Sequence, residues 1–529
     1  MDEPAAKGGR LAKKDLRLQF SGFLIFATKL ISVATGLIFQ LIIARSTTKT
    51  EYDIWFNTYD TVLWFTLLAG VVPFWTMRFV VREKEGAVKT GILSNLAISI
   101  VATLVYLPLV SFITSGLGVG SEYVPLYFLM AIQIIELHAL TILEACLQAR
   151  IPKKIGYGLL IQQIFKVILG YFLIMSFQQP FSSHMKLQSD YVSNLGGYLL
   201  AMKPYQPLLW AVIATLVAFV VQIAYYFTLV KDDMKFKVQW DYVKEWLKGS
   251  VANIISVAGN QLATTIFFLL FMYGGEGARG RFGAATQIAN IITYSSFLAF
   301  ALYPKLLAEK KNEDVTMSLK TVLMFAIPMT AGAVVLSSSY ISILREEFAD
   351  ASLILIVLAI DAFVAVISGV FSTVVFGMET VDENEKITFR RLAKSRLFIA
   401  FILPYFHAMI TIPTTFYVLT TYALNQPLQA ALYVSIINFV ARFVMFLVLL
   451  SIVHKMTKIN IPWRSTAKYV LAAGTMSIFL LLVPHTTRLS ITLVTTALGG
   501  IIYLAILLAI DKEVRALPKT ILQEIRKGE

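Results

Sequence analysis

The sequence has few charged residues and almost no cysteine for its length. Asp, Glu, Lys and Arg make up 15% of the 529 residues, against roughly 25% in soluble globular domains. Water therefore cannot solvate most of its surface. The single cysteine, Cys146, excludes an intrachain disulfide. No Asn-X-Ser/Thr sequence occurs, so the chain has no acceptor site for N-linked glycans.

What is present is apolar. Hydrophobic residues make up 57% of the chain and the mean hydropathy is +0.72. A membrane-crossing helix needs about 20 consecutive, mostly apolar residues, and about fourteen runs qualify. These predicted spans are 20–44, 54–77, 91–113, 124–149, 155–177, 207–230, 251–273, 282–303, 319–338, 351–377, 397–422, 428–453, 467–484 and 489–510. The sequence therefore predicts an all-α polytopic membrane protein.

The Lys and Arg residues alternate between the two sides of this span assignment. One side collects 34 of the 46, the other side holds 8, and the rest lie inside spans. Because cytoplasmic loops carry the excess of Lys and Arg, we predict that both termini are cytoplasmic in a multi-pass protein of the cell membrane. The formal charge of +14 is spread over short loops rather than one soluble face, so we expect no nucleic-acid partner.

A charged stretch interrupts the apolar runs near the middle of the chain, KDDMKFKVQWDYVKEWLKGS at 231–250. Lysines alternate there with Trp240, Tyr242 and Trp246, which is typical of a helix that lies on a membrane surface. We take it as a cytoplasmic linker between two hydrophobic halves. One longer connection, 178–206, is predicted as an outer loop. It either caps the outer mouth of a cavity or is a tolerated insertion.

The two halves contain an internal repeat at an offset of 230. The matched pairs are Tyr52/Phe282, Asn57/Gln287, Asp60/Asn290 and Trp64/Tyr294. Both copies enter from the same side, so the repeat predicts two pseudo-symmetric six-helix bundles related by an axis along the membrane normal. The predicted domains are therefore 1–230, the linker 231–250, a second bundle 251–455, and two additional spans with a cytoplasmic tail, 456–529.

Three stretches carry a family resemblance: 36–55 (GLIFQLIIARSTTKTEYDIW), 143–174 and 280–310. They resemble flippases of polysaccharides and lipid-linked oligosaccharides in the multidrug/oligosaccharidyl-lipid/polysaccharide (MOP) superfamily. The resemblance implies two six-helix bundles around a central cleft, with two extra C-terminal helices. It also implies alternating-access transport of a lipid-linked glycan.

Charges inside spans are costly, about 2.5–3.5 kcal/mol each at the helix centre, so each is a candidate functional residue. For a phosphorylated lipid carrier, the candidate phosphate-binding residues are Lys29, Lys166 and Arg442. The candidate ion-coupling carboxylates are Asp60, Glu136 and Asp361. The candidate cavity-lining residues are Gln40, Asn57, Trp64, Gln133, Gln162, Asn253, Asn260, Gln287, Asn290, Tyr294 and Asn438. The alternative for the charged residues is a buried ion pair, such as Lys29 or Lys166 with Glu136.

Three functions compete at this point. The first is a flippase of a lipid-linked oligosaccharide or polysaccharide precursor, with the bilayer and glycan-assembly enzymes as partners. The second is a cation-coupled multidrug exporter of the same fold. The third is a polytopic glycosyltransferase, for which Glu51 and Asp53 are the only acidic pair in a predicted outer loop. We expect a transporter rather than an enzyme, without catalytic residues, metal or cofactor, and driven by H⁺, Na⁺ or the membrane potential.

Overall fold

The computed structural model describes residues 35–151, 153–178, 206–299, 311–378, 396–457, 460–484 and 488–515, with the single positions 32, 302 and 306. These residues are helical, apart from short connections, and contain no strand. This confirms the all-α class. The predicted outer loop 178–206 lies almost wholly outside the described residues, as does Lys29.

The helices are numbered here in chain order. They are α1 Thr35–Ser46, α2 Lys49–Phe65, α3 Val71–Val81, α4 Ala87–Gly116, α5 Val124–Leu129, α6 Ala131–Arg150, α7 Lys153–Gln178, α8 Gln206–Val230, α9 Trp240–Gly249, α10 Val251–Ala263, α11 Thr265–Tyr273, α12 Ala278–Thr293, α13 Asn312–Val335, α14 Ser337–Leu344, α15 Ser352–Met378, α16 Arg396–Thr421, α17 Pro427–Met456, α18 Trp463–Leu482 and α19 Leu489–Ile510.

Within the described residues, eleven helical stretches are long and apolar enough to cross a membrane. A twelfth is broken: α2 and the stretch Leu67–Val81 meet at a bend of 57°. The sequence predicted a span at 54–77 there and gave no sign of the break. A 3₁₀ turn at Leu67–Gly70 separates the two helices, and Pro73 in the first turn of α3 cannot donate a backbone hydrogen bond to the preceding turn.

By internal contacts the described chain divides into two units. The N-terminal unit comprises Ile31–Gly283 and Ile412–Ala431. The C-terminal unit comprises the described residues of Ala284–Thr411 and Leu432–Glu529. The predicted division into two bundles and a C-terminal pair stays a prediction.

The charged linker packs against the N-terminal unit through one face of α9. Trp246 is fully buried and lies edge-on to Phe79 at 5.4 Å between ring centroids. The indole of Trp75 donates to the Ser250 hydroxyl at 2.9 Å. The opposite face of α9 exposes Trp240, of which 64% is accessible. The segment therefore forms an amphipathic helix, with Trp246 directed into protein and Trp240 directed outward.

The C-terminal unit joins α13 to the last two helices. The Tyr503 hydroxyl on α19 donates to the Met324 carbonyl on α13 at 2.6 Å. Lys468 on α18 pairs with the buried Asp511 at 3.2 Å, just beyond the end of α19. Tyr340 on α14 hydrogen-bonds Thr496. These contacts attach α18 and α19 to the rest of the C-terminal unit.

The internal repeat has a local structural counterpart. In the first copy, α2 is followed by the 3₁₀ turn Leu67–Gly70. In the second, α12 is followed by the 3₁₀ turn Tyr294–Ala299. The same helix and turn thus recur at nearly the predicted offset.

Candidate functional site

The N-terminal end of α2 is stabilised by its own capping residues. Thr48 and Glu51 form a capping box: the Glu51 backbone N–H donates to the Thr48 hydroxyl, and the Glu51 carboxylate accepts from the Thr48 N–H at 2.6 Å. This box satisfies backbone donors at the start of the helix. It stabilises the start of the helix that carries Asp53 and Asp60.

Asp53 on α2 connects this helix to the start of α12. Its carboxylate accepts the backbone N–H of Gly277 at 2.6 Å and that of Gly280 at 2.5 Å. A carboxylate is stabilised at a helix N-terminus by unpaired N–H groups and by the helix dipole. Nearby, the exposed Thr50 hydroxyl donates to Glu276 at 2.8 Å. The acidic pair that a glycosyltransferase would need for a metal is therefore engaged in capping helices.

Two turns further along α2, Asp60 forms a bidentate ion pair with Arg279. The guanidinium Nε and Nη2 lie 2.7 Å and 2.9 Å from the two carboxylate oxygens. Both residues are 5% exposed. The guanidinium also lies over the rings of Phe56 and Phe267, at 4.9 Å and 4.7 Å from their centroids. Desolvated, bidentate and stacked on aromatic rings, this is a strongly directional interaction. We call Asp53, Asp60, Arg279 and the Gly277 and Gly280 amides the α2–α12 clasp.

The predicted span 282–303 leaves Arg279 and Arg281 outside the helix, and that boundary is wrong. Both lie in the first turn of α12 and both are buried. The hydropathy window excluded them because Gly and Arg dominate this stretch. The signal that was present is the group of glycines at 274, 275 and 277, which favours a turn before a helix start.

Lys166 on α7 contacts an aromatic ring rather than an acid. Its ammonium lies 4.9 Å from the centroid of Phe39 on α1, and the side chain is half-buried. Among the residues that the structure describes, no carboxylate pairs with it. Gly170, one turn along, lies so close to Phe39 that a Cβ atom would meet the ring at 2.4 Å. The close packing of α1 on α7 thus holds Phe39 beneath the lysine.

Glu136 on α6 is buried without a partner. It is 3% exposed, and neither carboxylate oxygen carries a hydrogen bond. The amide of Gln133, one turn earlier, is equally buried and unpaired. Tyr59 on α2 lies close enough to interact with the Glu136 carboxylate. The described residues therefore contain no Lys166–Glu136 ion pair, which was one alternative for these charges. Buried polar groups without partners are rare and call for an explanation.

In the C-terminal unit the structure brings three predicted residues together. Arg442 donates from Nε to Asp361 Oδ1 at 2.6 Å, and the Asn438 amide donates to Asp361 Oδ2 at 3.1 Å. Asp361 is buried, whereas 37% of the Arg442 side chain is exposed. His407 on α16, which the sequence analysis did not select, is buried beside Arg442 and the Asn438 backbone. Asp361 thus holds the guanidinium at Nε while part of the Arg442 side chain stays accessible.

The remaining predicted residues occupy varied surroundings. Asn57 is buried and accepts from the Tyr127 hydroxyl at 2.5 Å. Gln162 is also buried. Asn260 is exposed and donates to the Ser256 carbonyl in its own helix at 3.0 Å. The side chains of Gln40, Trp64, Gln287 and Tyr294 are half-buried, that of Asn290 is exposed, and those of Lys29 and Asn253 lie outside the described residues.

No group of three or more His, Cys, Asp or Glu side chains within the described ranges is placed to hold a metal ion. Instead, Asp60 and Asp361 are paired with arginines, and Asp53 caps the start of a helix. Glu136 is unpaired. The chemistry that these side chains offer is therefore binding by charge and hydrogen bonding.

Solved structures of other proteins share this fold. A lipid II flippase MurJ in an inward closed conformation is 17% identical, with a TM-score of 0.61 over 93% of this chain and 99% of that chain. An inward-facing multidrug resistance MATE family transporter of the MOP superfamily is 12% identical, with a TM-score of 0.56 over 82% and 98%. A MOP superfamily transporter from Pyrococcus furiosus, described as having a binding pocket of reverse polarity that suggests a different function, is 15% identical, with a TM-score of 0.55 over 83% and 96%.

No protein-family model matches the chain, and no curated protein matches it. At the identities given above, the structural likeness establishes architecture rather than substrate. It agrees with the sequence resemblance at 36–55, 143–174 and 280–310. The chain is thus a multi-pass membrane protein with the fold of the MOP superfamily transporters.

Proposed function

We propose that this protein is a flippase that moves a lipid-linked oligosaccharide or polysaccharide precursor from the cytoplasmic to the outer leaflet by alternating access. The observation that carries the proposal is Lys166, a cation inside a membrane span with no acidic partner among the described residues. A charge inside a membrane span is costly and is retained where a partner or ligand compensates it. A phosphate or pyrophosphate head would supply that compensation.

Arg442 supports the same cargo from the C-terminal unit. Its Nε is bound by Asp361, so the guanidinium has a fixed orientation while part of the side chain stays accessible. A guanidinium held in this way is pre-organised for a second anion, because less side-chain entropy is lost when the anion binds. Lys29 completes the proposed set of phosphate-binding residues.

A specific observation favours a second candidate, the cation-coupled multidrug exporter. Glu136 is an unpaired carboxylate in the interior of the N-terminal unit, and an exporter of cationic compounds needs such an acid. In a flippase, Glu136 together with Asp361 would serve ion coupling, and the amides of Gln133 and Gln162 would contact sugar hydroxyls. The two candidates differ in what accumulates when the protein is missing.

Deletion of the gene therefore tests the function. We expect lipid-linked glycan precursors to accumulate in the cytoplasmic leaflet and surface glycan to fall, with complementation by the wild-type chain. Precursors would be measured by mass spectrometry of extracted lipids. Increased drug sensitivity with unchanged glycan would reject the flippase and favour the exporter.

The proposed direction of transport requires the predicted topology, with both termini cytoplasmic in the cell membrane. A reporter that is active only on the outer side of the membrane, fused after Gly120 in the turn that precedes Ser121–Arg150, is expected to be active. The same reporter fused after Lys154 is expected to be inactive, since Arg150 ends α6 and Lys153 and Lys154 begin α7, so that basic residues flank this connection. The reverse pattern would invert the proposed orientation.

A further inference from the structure

We propose that the α2–α12 clasp is a latch that must open in every transport cycle, with the Asp60–Arg279 ion pair as its lock. This rests on the proposed function in requiring a transport cycle, but the latch itself can be observed without a transported substrate. The observations that carry it are the two connections from one face of α2, the burial of the ion pair, and the glycines that precede α12.

The two carboxylates of the clasp act together because of their spacing on α2. Asp53 and Asp60 are seven residues apart, or about two helical turns, so they project from the same face. Both reach the first turn of α12: Asp53 accepts from Gly280, and Asp60 binds Arg279. The start of α12 is therefore held at two points along α2, and it can leave α2 only if both connections break.

Burial makes the open and closed forms discrete. With both partners 5% exposed, a slightly separated ion pair would leave two desolvated charges without compensation, which is strongly unfavourable. A fully separated pair that reaches water is much less costly. The clasp is therefore expected to be either shut or fully open, as a packed interface with two arrangements requires.

The chain before α12 can accommodate such a movement. Gly275 and Gly277 have φ values of +83° and +82°, in the left-handed region that residues with a side chain rarely adopt. Hinges are commonly a few residues at the end of an element that absorb changes in φ and ψ. All the residues of the clasp lie within the N-terminal unit.

By the predicted topology, the clasp lies on the outer side of the membrane. The connections before α2 and α12 are both predicted outer loops, and the exposed Thr50 and Glu276 lie beside the clasp. A shut clasp would keep α2 and α12 together on the side where cargo leaves. Release to the outer leaflet would then require the lock to open.

Cross-linking across the clasp tests the inference. Cys146 is the only native cysteine, so Cys146→Ser provides the background for Thr50→Cys with Glu276→Cys. The two native side chains are exposed and hydrogen-bonded to each other at 2.8 Å. In proteoliposomes we expect a short thiol-reducible cross-linker to abolish flipping of a fluorescent polyprenyl-pyrophosphate disaccharide, and reduction to restore it. Undiminished flipping by the cross-linked protein would overturn the proposal.

A matched pair controls for the chemistry of cross-linking. Asp232→Cys with Lys235→Cys places two thiols in one exposed turn of the same unit, where the native side chains form an ion pair at 2.8 Å. Cross-linking this pair is expected to leave flipping unchanged. A loss of flipping in the control would count against the clasp result, because the reagent alone would then be sufficient.

A second readout separates the latch from the cargo. Nitroxide labels at positions 50 and 276 are expected to show dipolar broadening in the shut form. Asp60→Asn is expected to increase the fraction of molecules without broadening, even if the wild type flips no glycan at all. Full broadening in the wild type and in Asp60→Asn, with and without added glycan lipid, would show that the clasp stays closed and would reject the latch. Absence of flipping together with a broadening change would reject only the proposed function.

Discussion

Replacement of Arg279 with alanine is expected to destabilise the folded protein by about 3–5 kcal/mol, because it leaves a buried charge on Asp60 without its partner. The loss should exceed that of Asp60→Asn, in which the amide oxygen can still accept from the Arg279 guanidinium and the rings of Phe56 and Phe267 still face it. The measurement is reversible unfolding of the purified protein in mixed micelles. A change below about 1 kcal/mol for Arg279→Ala would show that Asp60 finds water or another donor.

A double variant shows how much of that loss comes from the unpaired charge. Asp60→Leu with Arg279→Met is expected to recover most of the stability, since apolar residues of similar volume often replace a buried ion pair at little cost. The rings of Phe56 and Phe267 already provide an apolar environment around the guanidinium. If the double variant is as unstable as Arg279→Ala, the pair contributes through its hydrogen-bond geometry and not only through compensation of charge.

The second large effect concerns cargo binding. Lys166→Gln is expected to lower the rate of glycan flipping by about 10- to 100-fold. Loss of one charge-assisted contact costs about 1.5–3 kcal/mol, and each 1.4 kcal/mol corresponds to a factor of ten. Adding Arg442→Gln should abolish flipping. The measurement is the initial rate in proteoliposomes at equal protein density, using the fluorescent pyrophosphate-linked disaccharide.

The same helix offers a matched control. Lys154 begins the span that contains Lys166 and also lies near an aromatic ring, with its ammonium 5.6 Å from the centroid of Tyr157. Lys154→Gln removes an identical charge from the predicted membrane surface and is expected to leave the rate within about twofold. Equal losses for Lys154→Gln and Lys166→Gln would indicate a general effect of charge and remove the phosphate-binding role of Lys166.

Hydropathy located the eleven membrane-length helices of the described residues, because lipid requires long apolar stretches and satisfied backbone groups. It could not locate the bend between Phe65 and Leu67, since the residues on both sides are equally apolar. It also missed the start of α12, where Gly and Arg residues resemble a loop although the first turn is buried. Hydropathy thus failed where a helix is broken or where it begins with charged residues.

The sequence identified which charges lie in spans but not how they pair. Asp361 and Arg442 were selected for different roles, yet they bind each other across 81 positions of the chain. Asp60 was selected as an ion-coupling candidate, and its partner Arg279 lies 219 residues away. Pairing depends on which helix faces are adjacent, which a single sequence with a weak repeat does not specify. Lys166 remains a candidate phosphate-binding residue and Glu136 a candidate ion-coupling residue, because neither has an ion-pair partner in the described part of the chain.

The central claim is that the chain moves a phosphate-linked glycan lipid across a bilayer. The most direct measurement uses vesicles that contain the purified protein and the fluorescent polyprenyl-pyrophosphate disaccharide. An external reducing agent bleaches only the outer leaflet, so the bleached fraction reports exchange of the lipid between the leaflets. We predict exchange in vesicles with the wild type and little in vesicles with Lys166→Gln/Arg442→Gln. Exchange no faster than in protein-free vesicles would contradict the account.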